Sequence, residues 1–315
     1  MYILGFDIGG TKCAVSTAEW DGERVELLKK ESIPTDLTVS PEDMIDRLVA
    51  LADRILTRTP DSIGISSGGP LNADNGVILS PPNLPGWDRV EISAIIEAHY
   101  GVKAKLQNDA NACAVAEWKF GAGKGKRNMI FLTFGTGLGA GLILDGRLYM
   151  GANGNAGEVG HIRLSPDGPV GYGKSGSFEG FCSGGGIAAI AYSMALEAVA
   201  NGERPLYFSE GMGASDVSAR LVAEAAQKGD KTAINVYRTS GTYLGRGLAI
   251  LVDVLNPELI VIGSVFARSR ELLADAMQSE LEKEALGCAL NACRVVPAGL
   301  GERVGDYAAI ATAIL

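Results

Sequence analysis

Cysteine, histidine and aromatic side chains are scarce in this sequence, and positive charge is outnumbered. The five cysteines, at positions 13, 113, 182, 288 and 293, are odd in number and form no CxxC pair. That argues against a disulfide framework and a compact cysteine-based metal site, and it points to a cytoplasmic setting. Histidine occurs twice, as His99 and His161, so chemistry that needs imidazole has few possible arrangements. Aromatic residues make up only 6% of the chain. Lys and Arg number 28 against 37 Asp and Glu, a net charge of −9. Such a balance repels phosphate backbones and argues against nucleic acid and anionic membranes as partners. The apolar opening residues meet Asp7 at once with no basic stretch before them, so no signal peptide is expected. The longest uncharged run, residues 180–196, is interrupted by Gly184, Gly185 and Gly186 and is too short to span a membrane.

What is present is a globular composition, 47% apolar and 21% charged over 315 residues, enough chain for two domains with cores of their own. Glycine is the outlier, at 42 residues. That is about 13%, against about 7% on average. The glycines follow no Gly-X-Y period but cluster, as they do where backbone turns sharply or is brought close to a ligand.

Residues 2–7 read as a short apolar strand, Gly9-Gly10 as a turn, and 13–18 as a second strand. Asp21-Gly22 signals a hairpin into a third strand over 25–32. Ser40-Pro41 opens a helix, with Ser as N-cap, Pro at N1 and Asp43 at N3. Its apolar residues Met44, Ile45, Leu48, Leu51, Ala52, Ile55 and Leu56 fall at helical spacing. A strand over 62–66, a Pro/Gly/Asn-rich loop over 68–87, a helix over 92–100, a strand over 102–107 and a helix over 109–120 follow. After a Gly/Lys-rich hinge candidate at 121–127 the pattern restarts: a strand over 128–133, a glycine turn, a strand over 140–144, and a hairpin at Asp145-Gly146. Phe6-Asp7-Ile8-Gly9 is paralleled by Leu132-Thr133-Phe134-Gly135. Helices are expected over 187–200, 215–227 and 232–255. Asn256-Pro257 then feeds a buried strand over 259–263. A helix over 269–284, a strand over 294–296 and a final helix over 306–315 complete the chain. The alternation argues for an α/β fold with a twofold internal repeat. Residues 1–120 with 301–315 are expected to form a smaller lobe and 121–300 a larger one.

Four segments carry candidate chemistry. In Asp7-Ile8-Gly9-Gly10-Thr11-Lys12, an Asp ending a buried strand can hold Mg²⁺ through water, and the glycines let backbone approach phosphate. This is no P-loop, because GxxxxGK[ST] is absent and the turn joins two strands. Thr133-Phe134-Gly135-Thr136-Gly137-Leu138-Gly139 contains GxGxG, but a strand and a hairpin follow where a dinucleotide fingerprint needs a helix, so it reads as a second phosphate turn. Asn108-Asp109 lies at a strand end and a helix start. Asn108 can cap the helix, while Asp109, its pKa lowered by the helix N-terminus, would stay ionised and could act as a base toward a sugar hydroxyl. Glu158 and His161 stand three apart in a small-residue setting and could share a helical face. Metal binding, sugar hydrogen bonding and capping all fit them. The stretch 165–179 is loop-like and contains no Cys, and His99 reads as structural.

Taken together, FDIGGTK (6–12), NDANACAVAE (108–117), the glycine turn over 135–141, GEVGH (157–161), Phe178-Glu179 and LNPELIVIG (255–263) resemble the ROK family (repressors, open reading frames, kinases) across nearly the whole chain. The kinase members have the two-lobed sugar kinase/Hsp70/actin-like (ribonuclease H-like) fold, with ATP in the interlobe cleft. The resemblance implies a glucokinase-like enzyme that transfers the γ-phosphoryl of ATP to a hexose hydroxyl, in the first place O6 of glucose. N-acetylglucosamine, N-acetylmannosamine, allose, fructose and β-glucosides are the alternative acceptors. It implies Asp109 as catalytic base, with Asn83, Asn108, Asp109, Glu158, His161 and Glu179 lining the sugar pocket. ATP is expected to meet Asp7, Gly9, Gly10, Thr11, Lys12, Thr133, Gly135, Thr136, Gly137 and Gly263, and Asp7 to help hold Mg²⁺ through water. A homodimer is a further implication.

Three departures stand out. Many relatives carry a zinc-binding CxCGxxGC after the GEVGH segment. Here the aligned residues run from Val170 to Ser177, with Val170, Tyr172 and Ser177 in place of the cysteines. Valine cannot ligate zinc, and neutral Tyr and Ser are poor ligands beside thiolate, so no zinc is expected. Ser66-Ser67-Gly68-Gly69-Pro70 replaces the usual glycine- and proline-rich turn beside the sugar, and Ser264 follows Gly263 where a second glycine is common. Repressor members carry an N-terminal helix-turn-helix, for which the early hairpin leaves no room. A non-catalytic sugar sensor and a carboxylate kinase are weaker alternatives.

Overall fold

The computed structural model describes residues Met1–Leu315. The first sheet begins with β1 (Tyr2–Ile8), β2 (Lys12–Trp20) and β3 (Val25–Pro34), an antiparallel meander. Next come α1 (Pro41–Ile55), β4 (Ser62–Ser67), the small hairpin β5 (Leu71–Asn72) and β6 (Val77–Ile78), α2 (Ile92–Tyr100), β7 (Ala104–Asn108) and α3 (Asp109–Phe120). The strand order is β3-β2-β1-β4-β7, with β1, β4 and β7 parallel. β1 is apolar along nearly its whole length because it is covered on both faces. Leu4, Phe6 and Ile8 meet α1 and α2, while Ile3 meets the C-terminal helix. Helix α1 starts as expected: Ser40 Oγ accepts from the Asp43 N–H at 3.1 Å, and Pro41 takes the first position, where no N–H is needed.

The second sheet repeats the plan. β8 (Met129–Phe134), β9 (Leu138–Leu144) and β10 (Arg147–Tyr149) form the meander. After the short hairpin β11 (Val170–Gly171) and β12 (Lys174–Ser175) come α4 (Phe178–Phe181), α5 (Gly184–Ala200), α6 (Ala219–Gln227) and α7 (Lys231–Leu255). Then follow β13 (Leu259–Ile262), α8 (Val265–Glu284), α9 (Gly287–Leu290), β14 (Arg294–Pro297) and α10 (Val304–Ala313). The order β10-β9-β8-β13-β14 is that of the first sheet, with β8, β13 and β14 parallel. This is the repeat expected from the two glycine-turn hairpins.

The chain divides into two compact units. One comprises Met1–Arg127, Gly141–Ala156 and Glu302–Leu315, the other Asn128–Ala140 and Gly157–Gly301. In the first unit, the Ala-rich α10 packs on β1, β4 and α3, its small residues allowing close approach. Several element starts differ from expectation. The helix expected from 215 starts at Ala219, because Ser218 is the cap, accepting from the Leu221 N–H, and Val217 is extended. The helix expected from 269 starts at Val265, after Ser264 at φ +52°, and Ser269 is instead a kink within it. The three glycines expected to precede α5 are its first turn, which Ser183 makes possible by capping Gly186 N–H at 2.9 Å. The loop over 165–179 contains β11, β12 and the start of α4. No helix is long and apolar enough to cross a membrane.

Candidate functional site

In the first unit the candidate residues collect at the carboxyl ends of the parallel strands, where open α/β sheets bind ligands. Asp7 is in register with Ser66, and Ser66 with Gln107. Asn108 ends β7, and Asp109 begins α3. Asn108 Oδ1 accepts from the Asn111 N–H at 2.8 Å, so it is the helix cap, and only its amide NH₂ is left to face a ligand. Asp109 is exposed, with Oδ1 accepting from the Ala110 N–H at 2.8 Å. Its carboxyl is pushed above the ordinary carboxylate range, chiefly because surrounding protein displaces hydration, and the helix-start N–H bonds offset this only in part. The expectation of a lowered pKa is therefore corrected: at this helix end desolvation outweighs the N–H groups. Asp7 is pushed up as well, to about 7, by burial first and then by the negative charge of Asp109. Lys30 and Lys12 pull the other way. The first unit thus holds two interacting carboxylates.

The turn between β1 and β2 is built around them. Gly9 O accepts from Thr35 Oγ1 at 2.5 Å and from Cys13 Sγ at 3.6 Å, and Thr11 O accepts from the Thr35 N–H at 3.0 Å. The carbonyls are taken, while the N–H groups of Gly10 and Thr11 have no acceptor within the chain. That is the polarity of an anion nest. Asn83 lies directly on this turn: a Cβ at Gly10 would come within 2.2 Å of Asn83 O, and one at Gly68 within 3.1 Å of the Asn83 amide. Lys12 and Thr11 are exposed beside it. Sequence reading missed Thr35 and counted Cys13 only as a redox marker. Burial pushes the Cys13 thiol up, so it serves as a neutral hydrogen-bonding wedge.

The second unit holds the other candidates. Thr133 Oγ1 accepts from the Gly139 N–H at 2.9 Å and donates to Gly139 O at 3.3 Å across the turn. Gly135 O accepts from the Gly184 N–H at 2.7 Å, and the Gly135 N–H donates to Gly137 O at 3.0 Å. The N–H groups of Thr136 and Gly137 have no acceptor within the chain. Glu179 Oε2 accepts from the Leu138 N–H at 3.0 Å, and a Cβ at Gly137 would meet that same oxygen at 2.7 Å. The structure therefore packs Glu179, expected on the sugar side, against the glycine turn. Glu158 and His161 flank a single 3₁₀ turn, Val159–His161, and both are exposed. A Cβ at Gly160 would fall within 2.1 Å of Leu138 O and 3.3 Å of Glu179 Cβ, so this segment lies against both. Gly263 is buried, its N–H donating to Leu132 O at 3.0 Å.

No group of three or more His, Cys, Asp or Glu is placed to hold a metal ion. Of the three positions aligned with zinc cysteines, Ser177 caps α4 through the Gly180 N–H at 3.1 Å, while Val170 and Tyr172 are exposed.

A model of the ROK family matches residues 3–314. A glucokinase of Streptomyces coelicolor is 31% identical over 305 residues, covering 96% of this chain and 94% of its own. A ROK family glucokinase from Streptomyces griseus, solved in complex with glucose and AMPPNP, is 29% identical with a TM-score of 0.79, over 100% of this chain and 98% of that one. A ROK family transcriptional regulator, described as a homologue of the E. coli MLC protein, is 26% identical with a TM-score of 0.84, over 99% of this chain and 77% of its own. The fold is thus of the two-lobed sugar kinase/Hsp70/actin-like class expected from the sequence.

Proposed function

The chain belongs to the ROK family, and from that premise we propose that it is an ATP-dependent sugar kinase whose first acceptor is O6 of glucose. The observation that carries the reading is the pair of interacting carboxylates, Asp7 and Asp109, beside a turn whose N–H groups find no acceptor within the chain. A regulator that only senses sugar has no need of a base with a raised pKa. In the proposed reaction the Asp109 carboxylate takes the proton of the acceptor hydroxyl as its oxygen bonds to the γ-phosphorus, and the bond from that phosphorus to the ADP oxygen breaks. A carboxyl held above the ordinary aspartate range makes Asp109 a stronger base than an ordinary aspartate. The N–H groups of Gly10, Thr11, Thr136 and Gly137 supply donors for phosphate oxygens, and Lys12 adds charge. Glu158, His161 and Glu179 offer hydrogen-bonding groups for ring hydroxyls, and Asn83 and Asn108 belong to the same sugar set.

Asp7 suits Mg²⁺, because a half-buried carboxylate that is costly to ionise is relieved by a neighbouring cation. When bound, Mg²⁺ would neutralise phosphate charge. Zinc has no place in the reading, and the protein is expected to fold and work without it. A cytoplasmic location and a homodimer belong to the same proposal.

A coupled assay of ADP release across a sugar panel tests it. Sugar-dependent release with glucose foremost is expected, and glucose should outperform 2-deoxyglucose, because a site that hydrogen-bonds a hydroxyl pays for its absence. A preference for an N-acetylhexosamine, allose, fructose or a β-glucoside would move the substrate but keep the reaction class. No sugar-dependent release from folded protein that binds ATP would overturn the kinase reading. Metal analysis that finds stoichiometric zinc would overturn the zinc-free part.

A further inference from the structure

We propose that Lys174 is a positioning residue for His161: its ammonium pins hairpin β11–β12 to the backbone of His161 and so holds the imidazole where an acceptor sugar meets it. The proposal rests on the sugar-kinase reading for its kinetic consequences but not for its geometry. The connection from His161 to α4 ends in an exposed tip. Val170 and Tyr172, its large apolar side chains at the tip, are 63% and 74% exposed. No metal-binding group is present, and a lone two-stranded hairpin is marginal in water.

The base of the connection is fixed by backbone bonds, Phe178 N–H to Ile162 O at 2.8 Å and Leu164 N–H to Gly176 O at 2.8 Å. The outer part is closed on itself by Gly176 N–H to Pro169 O at 3.0 Å and Ser175 Oγ to Gly168 O at 3.0 Å, and two cationic side chains tie it back toward His161. Lys174 Nζ donates to His161 O at 2.7 Å, and Arg163 Nη1 donates to Ser175 O at 2.7 Å and to Pro166 O at 3.4 Å. Neighbouring residues of β12 are thereby tied to the strand of chain that leaves His161. No carboxylate lies within ion-pair distance of Lys174, so its charge is directed at the carbonyl. A charge-assisted bond of this kind is roughly twice as strong as a neutral one.

The tip carries strain that fits the same role. Tyr172 and Gly173 lie at φ +44° and +74°. This is the conformation of a two-residue hairpin turn, natural for Gly and costly for an aromatic residue. The turn sets the Tyr172 ring edge-on to the His161 ring, with centroids 6.5 Å apart at 79°. The His161 imidazole makes no hydrogen bond within the chain. Its orientation therefore depends on its own backbone, which Lys174 grips, and on the Tyr172 wall.

The test compares wild type, Lys174→Met and Lys174→Arg. Lys174→Met keeps the length of the side chain and removes its donors. We expect its KM for glucose to rise roughly tenfold, the loss of about one charged hydrogen bond. The ATP KM and kcat should stay within about twofold, and Lys174→Arg should recover most of the loss. A glucose KM unchanged in Lys174→Met overturns the proposal. So does a fall in melting temperature with the ATP and glucose constants moving together, which is the mark of a merely structural loop. Because the chain has only two histidines, the imidazole nitrogens of His161 can also be followed by NMR with His99 as internal control. Lys174→Met should shift the His161 signals and leave those of His99 in place. If wild type phosphorylates no sugar, the kinase reading falls by itself, and unmoved His161 signals in Lys174→Met would still overturn the clamp.

Discussion

The two glycine turns occupy the same place in two sheets of the same strand order, yet they are stabilised in different ways. The turn between β8 and β9 carries no charged residue of its own and is braced through hydrogen bonds to neighbouring segments. Thr133 bridges it to Gly139, Glu179 holds Leu138, and Gly184 holds Gly135. The turn between β1 and β2 is braced from behind by Thr35 and Cys13, and where Thr133 stands in the second sheet it has Asp7, a carboxylate that is costly to ionise. Both turns leave N–H groups without an acceptor in the chain. The repeat therefore supplies one glycine-turn shape twice, while the pair of coupled carboxylates, Asp7 and Asp109, is confined to the first unit. A duplicated backbone needs only its glycines kept, and a single proton acceptor has to be built only once.

The largest effect should come from removing that charge. Asp109→Asn is nearly isosteric, so the fold should persist while kcat falls ~10²–10⁴-fold. A variant that retains more than half of wild-type turnover in the coupled assay would remove Asp109 as the base.

The next contrast sets the two turns against each other. In Gly10→Ala the new Cβ would lie 2.2 Å from the Asn83 backbone oxygen, so a stretch of main chain must move. In Gly137→Ala it would lie 2.7 Å from Glu179 Oε2, the mobile end of a side chain. Calorimetry should find a cost of roughly 1–3 kcal/mol for Gly10→Ala and less than half of that for Gly137→Ala. Equal losses would mean that the second turn is as tightly backed as the first.

The pH dependence separates the turns without touching a glycine. The folded pKa of Asp7, about 7, lies above its ordinary 3.8. Below about 4, Asp7 is protonated in both folded and unfolded chain. Between about 4 and 7 the unfolded chain releases the proton and the folded chain keeps it, so stability is lost as pH rises through that window. Asp7→Asn should therefore gain melting temperature relative to wild type as pH rises from 4.5 to 7.5, in protein free of nucleotide and magnesium. A constant difference over that range would sink the assignment. Thr133→Val, the matching change in the second turn, has the smallest expected effect. It should cost about 1 kcal/mol at every pH, from the lost Gly139 bonds. A pH-dependent loss there would show that the second turn is not neutral.

Much of the frame was legible from local signals. Ser40-Pro41 marks a helix start because its cap is satisfied within four residues. The paired motifs at Asp7 and Thr133 mark the repeat because each sits between two strands with strong patterning of their own. Other features depend on partners far along the chain. Glu179 is expected at the sugar, and nothing near it in sequence indicates that one oxygen of its carboxylate also takes the Leu138 N–H, 41 residues away. Thr35 carried no signal at all, since its role is set by the return of β3 beside the first turn. The helix expected at 269 begins earlier because Ser264 accepts a left-handed backbone, which composition does not announce.

By itself, then, the sequence determined the α/β class and the doubled hairpin and marked the candidate groups for chemistry, because strand period, turn residues and caps are satisfied by neighbours in the chain. Only the tertiary structure decided how those groups behave. Asp109 stays accessible but is densely surrounded by protein that weakens its hydration, so its pKa rises although it starts a helix. Asp7 feels the charge of Asp109 because β1 and β7 end at the same edge of one sheet, flanking β4. His161 is gripped by Lys174 because the hairpin β11–β12 folds back upon it. Desolvation, charge coupling and side-chain clamps all act through distances in space, which sequence separation does not encode.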